Sequence, residues 1–251
     1  MRPVLAVVLG SKLLAVLVCL RAPWTAAALW FGSEFLLAFH VFVPRAQGLG
    51  RVYRRFDTSR REVWLTIDDG PDPADTPRIL ALLARHGARA TFFVIGRKAA
   101  AHPELVRAIV AAGHEVGHHT QTHPLKTFWC APPARVRREL DQACAVLRAA
   151  GVAPRWFRPP AGHKSPWLHP ALAARRLPCV AWTARGLERS GLDVEGVAAR
   201  LTRRVRPGAI LLLHEGPRVP APIRVAAIAR VLEHLSAEGY TCVLPEPEQL
   251  R

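Results

Sequence analysis

Residues 63–71 read VWLTIDDGP. Val63, Trp64, Leu65 and Thr66 are β-branched, aromatic or apolar, so they read as a strand. Gly70 and Pro71 stop it. Asp68 and Asp69 therefore sit side by side at a strand end, where like charges repel. A metal ion, a cationic partner or solvent must offset that repulsion.

Outward from this stretch the chain alternates. Strand-like runs are expected at 63–67, 90–95, 115–117, 155–157, 178–182, 209–213 and 240–243. Helical periodicity is expected at 77–86, 103–112, 134–150, 166–175, 193–205 and 221–237. Gly87, Gly113, Gly151 and Gly239 stand where helices should end. Such alternation predicts parallel strands, in an α/β barrel or a doubly wound sheet. In either, the residues just after the strands gather on one face. Those residues are Asp68 and Asp69, the histidines of GHHTQTHP (His118, His119 and His123), Arg158 in RPPAG, Trp182 in WTARG, and His214 in LLLHEG.

His119 and His123 are four apart. On a helical turn, the expected conformation, that spacing puts two imidazoles on one face, able to share a metal. A carboxylate from Asp68 or Asp69 would complete a set with open positions. The donors suit Zn²⁺, or another divalent first-row metal, holding a reactive water.

These motifs resemble those of the NodB-homology polysaccharide deacetylases, carbohydrate esterase family 4. The matching residues are Thr66-Ile67-Asp68-Asp69-Gly70-Pro71, His119-Thr120-Gln121-Thr122-His123, Arg158-Pro159-Pro160-Ala161-Gly162 and Leu212-Leu213-His214, within residues 62–245. The resemblance implies a distorted (β/α) barrel of about seven strands. It implies that Asp69, His119 and His123 bind one divalent metal, zinc by default, with cobalt, nickel and iron as alternatives. Asp68 would be the base that deprotonates the metal-bound water, with Arg158 holding it in place. The Ala161 N–H would stabilise an oxyanion. His214 would be the general acid. Leu212 and Trp182 would line the acyl pocket. The reaction implied is removal of an N-acyl group, N-acetyl first of all, from an amino sugar in a polysaccharide or glycolipid. The family's fourth motif commonly supplies an Asp that tunes the acid. Residues 182–188, WTARGLE, have none there, and Glu188, Asp193 and Glu215 are the substitutes on offer. That departure keeps open a catalytically silent, membrane-anchored glycan- or lipid-binding module. A metal phosphoesterase is a third class.

Ahead of this domain, residues 4–20 and 23–43 are two apolar runs, each near the ~20 residues that span a bilayer. They predict a membrane anchor over 1–44, two short helices in a hairpin, followed by a basic linker over 45–61 and the catalytic domain over 62–251. The chain has 251 residues and a formal charge of +16. Six arginines against Asp57 follow the second run, between Arg45 and Arg61, which places that flank on the inner face of a bacterial membrane. A deacetylase of wall polymer needs the opposite face, and the two demands stand opposed. The basic charge favours an anionic membrane or glycan, and no nucleic-acid-binding motif accompanies it. Five irregularly spaced cysteines signal neither a zinc ribbon nor a disulfide framework.

Overall fold

The computed structural model describes residues 3–188, 191–203 and 205–251. Two apolar helices, α1 (Pro3–Val18) and α2 (Pro23–Phe42), form an antiparallel hairpin. Lys12 and Glu34, the charged residues inside the two apolar runs, pair with each other at 2.5 Å. The segment expected as a linker joins the domain edge. Its short strand β1 (Val52–Tyr53) pairs in parallel with β5 (Cys179–Val180).

The centre of the domain is β2 (Glu62–Gly70), buried at every position after Glu62. Burial of both faces explains its near-continuous apolar run. Around it stand β3 (Ala90–Val94), β4 (Glu115–His118), β6 (Ala184–Arg185), β7 (Ala209–His214) and β8 (Thr241–Cys242), in the order β4-β3-β2-β7-β6 with β8 also on β2. All these pairings are parallel. The expected strand at 155–157 contributes only single bridges, His118 to Phe157 and Phe157 to Cys179. The sheet path from β4 to β5 therefore runs through one residue rather than a continuous ladder.

The helices are α3 (Thr76–Arg85), α4 (Gly96–Ala101), α5 (Pro103–Ala111), α6 (Pro133–Ala149), α7 (Leu168–Ala173), α8 (Val194–Thr202) and α9 (Arg224–Ala237). Helices α5 and α6 start on proline and α3 has Pro77 as its second residue, where a missing N–H costs nothing in the first turn. The main core joins β2, β3 and β7 to α3, α5, α8 and α9 through residues such as Leu65, Phe92, Leu211 and Val231. Burying each contributes about 1.5–3 kcal/mol. All five cysteines are free thiols.

Candidate active site

Consecutive side chains on a regular strand point to opposite faces, so Asp68 and Asp69 should diverge. They do not, because β2 bulges between them. Asp68 stands opposite Phe93 and Gly70 opposite Val94, so Asp69 is passed over by the ladder. With Asp69 at φ 74°, both carboxylates line one cavity of about 290 Å³. Both are almost fully buried.

His119 and His123 reach the same cavity from the loop after β4. The expected helical turn is absent, and Thr120 (φ 65°) and His123 (φ 53°) are left-handed instead. The His123 N–H goes to the Thr120 hydroxyl, and other backbone groups of the loop are taken by neighbouring elements. Glu139 on α6 accepts from the Gln121 and Thr122 N–H groups at 2.9 Å and from the Thr122 hydroxyl at 2.6 Å. Gly96 and Arg97 donate to the Thr120 and Gln121 carbonyls.

His119 Nδ1 lies 2.7 Å from the Arg158 carbonyl, which fixes the proton on that nitrogen and leaves Nε2 a lone pair. Nε2 of His119 is 3.5 Å, and Nε2 of His123 3.1 Å, from Asp69 Oδ1. That oxygen is buried without a hydrogen-bond partner. One ligand atom from each of Asp69, His119 and His123 lies within 4.8 Å of the others. An orphaned carboxylate oxygen between two imidazole nitrogens fits a divalent cation, and the N,N,O set leaves positions open. Burial alone would push the Asp69 carboxyl up, but the His119, His123 and His214 rings outweigh it and hold it far below the ordinary carboxylate range. His123 is pushed down to about 3, first by burial and then by His119. Arg218 Nη1 lies 2.9 Å from His123 Nδ1. Arginine only donates, so in this arrangement His123 Nδ1 accepts and the ring proton sits on Nε2.

Arg158 is fully buried, and each of its three nitrogens donates. It donates to Asp68 Oδ1 (2.7 Å), to Thr66 Oγ1 (2.8 Å) and to the Val180 and Ala181 carbonyls. Asp68 is thereby fixed beside the donor set. His214, at the end of β7, stands opposite Asp68 in the ladder and lines the same cavity. Its Nδ1 donates to Glu188 Oε1 at 3.1 Å, and the same oxygen accepts its backbone N–H at 2.8 Å. Burial works to lower the His214 pKa, but Glu188, Asp68 and Asp69 together raise it above 6.5. Ala161, Leu212 and Trp182 line the same cavity, with Ala161 left-handed at φ 53°. Asp69, His123, Ala161 and Leu187, four of the six described non-glycine residues with positive φ, line this cavity, and a fifth, Thr120, belongs to the histidine loop. Backbone strain concentrates where side chains must be aimed.

Of the three substitutes for the missing acid, Glu188 is the one on the histidine. Asp193 caps α8 by accepting the Gly196 N–H at 2.7 Å. Glu215 faces Thr76, at 2.5 Å.

A parallel α/β fold with paired carboxylates, two imidazoles and a carboxylate-supported histidine at the strand ends describes a hydrolase-type site. The polysaccharide deacetylase family profile matches residues 55–177. A chitooligosaccharide deacetylase from Bradyrhizobium is 40% identical over 161 residues, covering 62% of this chain and 71% of the relative. A solved peptidoglycan N-acetylglucosamine deacetylase superposes with a TM-score of 0.71 at 28% identity, covering 76% of this chain and 89% of the other. A carbohydrate esterase family 4 pseudoenzyme from Bacillus anthracis superposes with a TM-score of 0.68 at 26% identity, covering 76% and 66%. The chain belongs to the polysaccharide deacetylase family, the NodB-homology group of carbohydrate esterase family 4.

Proposed function

We propose that the protein is a membrane-anchored, metal-dependent hydrolase that removes the N-acetyl group from an amino sugar. The observation that carries this reading is a division of labour along one cavity. Asp68 is clamped by Arg158 and His214 by Glu188, and both line the cavity that holds the Asp69–His119–His123 donor set. Asp69, His119 and His123 would hold one divalent ion, zinc by donor type, with cobalt, nickel or iron accepted by the same atoms. That ion would supply Lewis acidity at the amide oxygen and a more acidic water.

The chain's own groups supply the rest. Asp68, oriented by Arg158, takes a proton from the water that attacks the amide carbonyl. The Ala161 N–H faces the oxygen on which charge develops. Trp182 and Leu212 bracket the acetyl methyl. His214, its Nδ1 proton held by Glu188, delivers a proton to the departing nitrogen. The products are acetate and a free amine. The hairpin would sit in the membrane. Among the described residues, only α2 is long and apolar enough to cross one, at 20 residues, and α1 is shorter. Trp24 (88% exposed), Leu20 (95%) and Phe35 (77%) leave large apolar side chains without a partner.

The test is acetate release from N-acetylglucosamine oligomers by metal-loaded full-length protein. Asp68→Asn should keep the bound metal and lose about 10²–10⁴ of the rate. Stoichiometric metal with no release from any acetylated amino sugar would favour the silent binding module instead.

A further inference from the structure

A second cavity of about 290 Å³ abuts the active site, and Trp182 and Arg185 line both. Its other walls are Val43, Pro44 and Arg45, just past the end of α2, and Arg200 and Arg203 at the end of α8. A third concavity of about 190 Å³ continues it past Trp182, adding Arg54, Arg55 and Arg206 and sharing Arg45. Seven arginines thus line a connected trough, and no carboxylate is among its described lining residues. Like charges gathered in a concavity repel, and the arrangement is stabilised by an anion there. Guanidinium forks match phosphate oxygens in a bidentate way.

The trough's position restricts which anion. It opens where α2 ends, and the active-site loop is fastened to that end. Lys164 donates its backbone N–H to Val41 and its ammonium to the Val43 and Pro44 carbonyls, at 3.0, 2.7 and 3.1 Å. Gly162 (φ +74°) lies so close to Pro44 and Trp182 that a Cβ there would meet them at 2.6 and 2.9 Å. Phe42 packs on Trp129, an exposed ring of the catalytic domain. With the hairpin in a bilayer, the arginines stand at headgroup depth, beside the catalytic cavity.

We propose that this trough holds the phosphate or diphosphate of a lipid-linked N-acetylated amino sugar, presenting the sugar across Trp182 to the catalytic cavity while the lipid stays in the membrane beside α2. The proposal rests on the deacetylase reading and names its substrate class. It also removes the opposition between the basic flank and a glycan substrate, because a lipid-linked sugar lies in whichever leaflet the domain faces.

The test is binding of farnesyl diphosphate to the full chain in uncharged detergent micelles. Variants are Arg200→Glu with Arg203→Glu, and separately Arg45→Ala, so that a folding defect confined to α8 is recognised. We expect saturable binding that weakens with salt, and a Kd raised about tenfold or more in each variant. Asp68→Asn should bind the probe as the unaltered chain does. With substrates, the ratio of kcat/KM for a polyprenyl-diphosphate-linked N-acetylglucosamine over a neutral oligomer should fall by a similar factor in both arginine variants. Equal Kd values across the variants would overturn the proposal. So would displacement by inorganic pyrophosphate at the same concentration (a bare anion site), by phosphatidylglycerol (a bulk-lipid site), or preferentially by an anionic polysaccharide (an acidic-polymer groove). If no acetylated substrate is cleaved while the probe binding behaves as expected, the deacetylase reading fails and the lipid-phosphate site stands.

Discussion

The paired aspartates show how one residue's backbone decides a site. Asp68 and Asp69 reach one cavity because the ladder skips Asp69. The sequence makes both carboxylates legible as chemistry, and the resemblance divides their roles, but the bulge that aims them is a property of β2 and β3 together. Glu188 was harder to single out. It lies 26 residues before His214, and three acids competed for the place. Its contact yields a signed prediction. Glu188 raises the His214 pKa, and His214 must be protonated to serve as the acid, so activity should be lost as pH rises through that raised value. Glu188→Gln removes the charge, so the alkaline limb of the kcat profile should move to lower pH. A limb that stays in place would separate Glu188 from the acid. Arg218 gives a second prediction. While it donates to His123 Nδ1, the Nε2 proton of that ring blocks coordination, so metal loading requires Arg218 to leave. Arg218→Ala should tighten metal binding by about tenfold, read by competition with a chelator dye.

At the scale of elements, the long segments were legible, as were β5 and β8 inside the expected runs 178–182 and 240–243, whereas β1 and β6 were not. The central strand follows from a near-continuous apolar run, and α6 and α9 from apolar residues at a period near 3.6. The two-residue strands β1 and β6 are too brief to carry a period, and tertiary pairing alone makes them strands. The histidine loop failed for a different reason. A spacing of four fits a helical turn, but the His123 N–H that would close that turn goes to the Thr120 hydroxyl, and Glu139 fastens the Gln121 and Thr122 N–H groups to α6. Glu139 is therefore a positioning residue for both imidazoles. Glu139→Gln keeps its size but replaces one accepting oxygen with a donor. Metal affinity should fall about 10–100-fold, with the far-ultraviolet circular dichroism spectrum unchanged. Unaltered affinity would show that the loop holds its shape without α6.

At the scale of the whole molecule, the hairpin and the catalytic domain meet through a buried charge. Lys164 is fully buried, and burial pushes its pKa down to about 8. Its two ammonium acceptors, the Val43 and Pro44 carbonyls, belong to the chain leaving α2. Nothing in the apolar runs or in the arginine-rich stretch announces this contact, because it joins residues more than a hundred positions apart. Excising the hairpin to obtain a fragment beginning at residue 46 would delete both acceptors and leave the ammonium near Cys179 of β5 without those partners. A buried donor stripped of its acceptors costs about 1–3 kcal/mol, more when charged. The fragment should therefore unfold at lower temperature than the full chain in detergent. That comparison alone confounds lost packing on Phe42 with the lost hydrogen bonds, so the informative measurement is a double-mutant cycle. Lys164→Met should destabilise the full chain, where it forfeits two hydrogen bonds, and stabilise the fragment, where it removes a stranded charge. The opposite sign in the two contexts would establish that Lys164 couples the N-terminal hairpin to the loop carrying Ala161. The same sign in both would reduce it to a packing residue and leave the hairpin a passive tether.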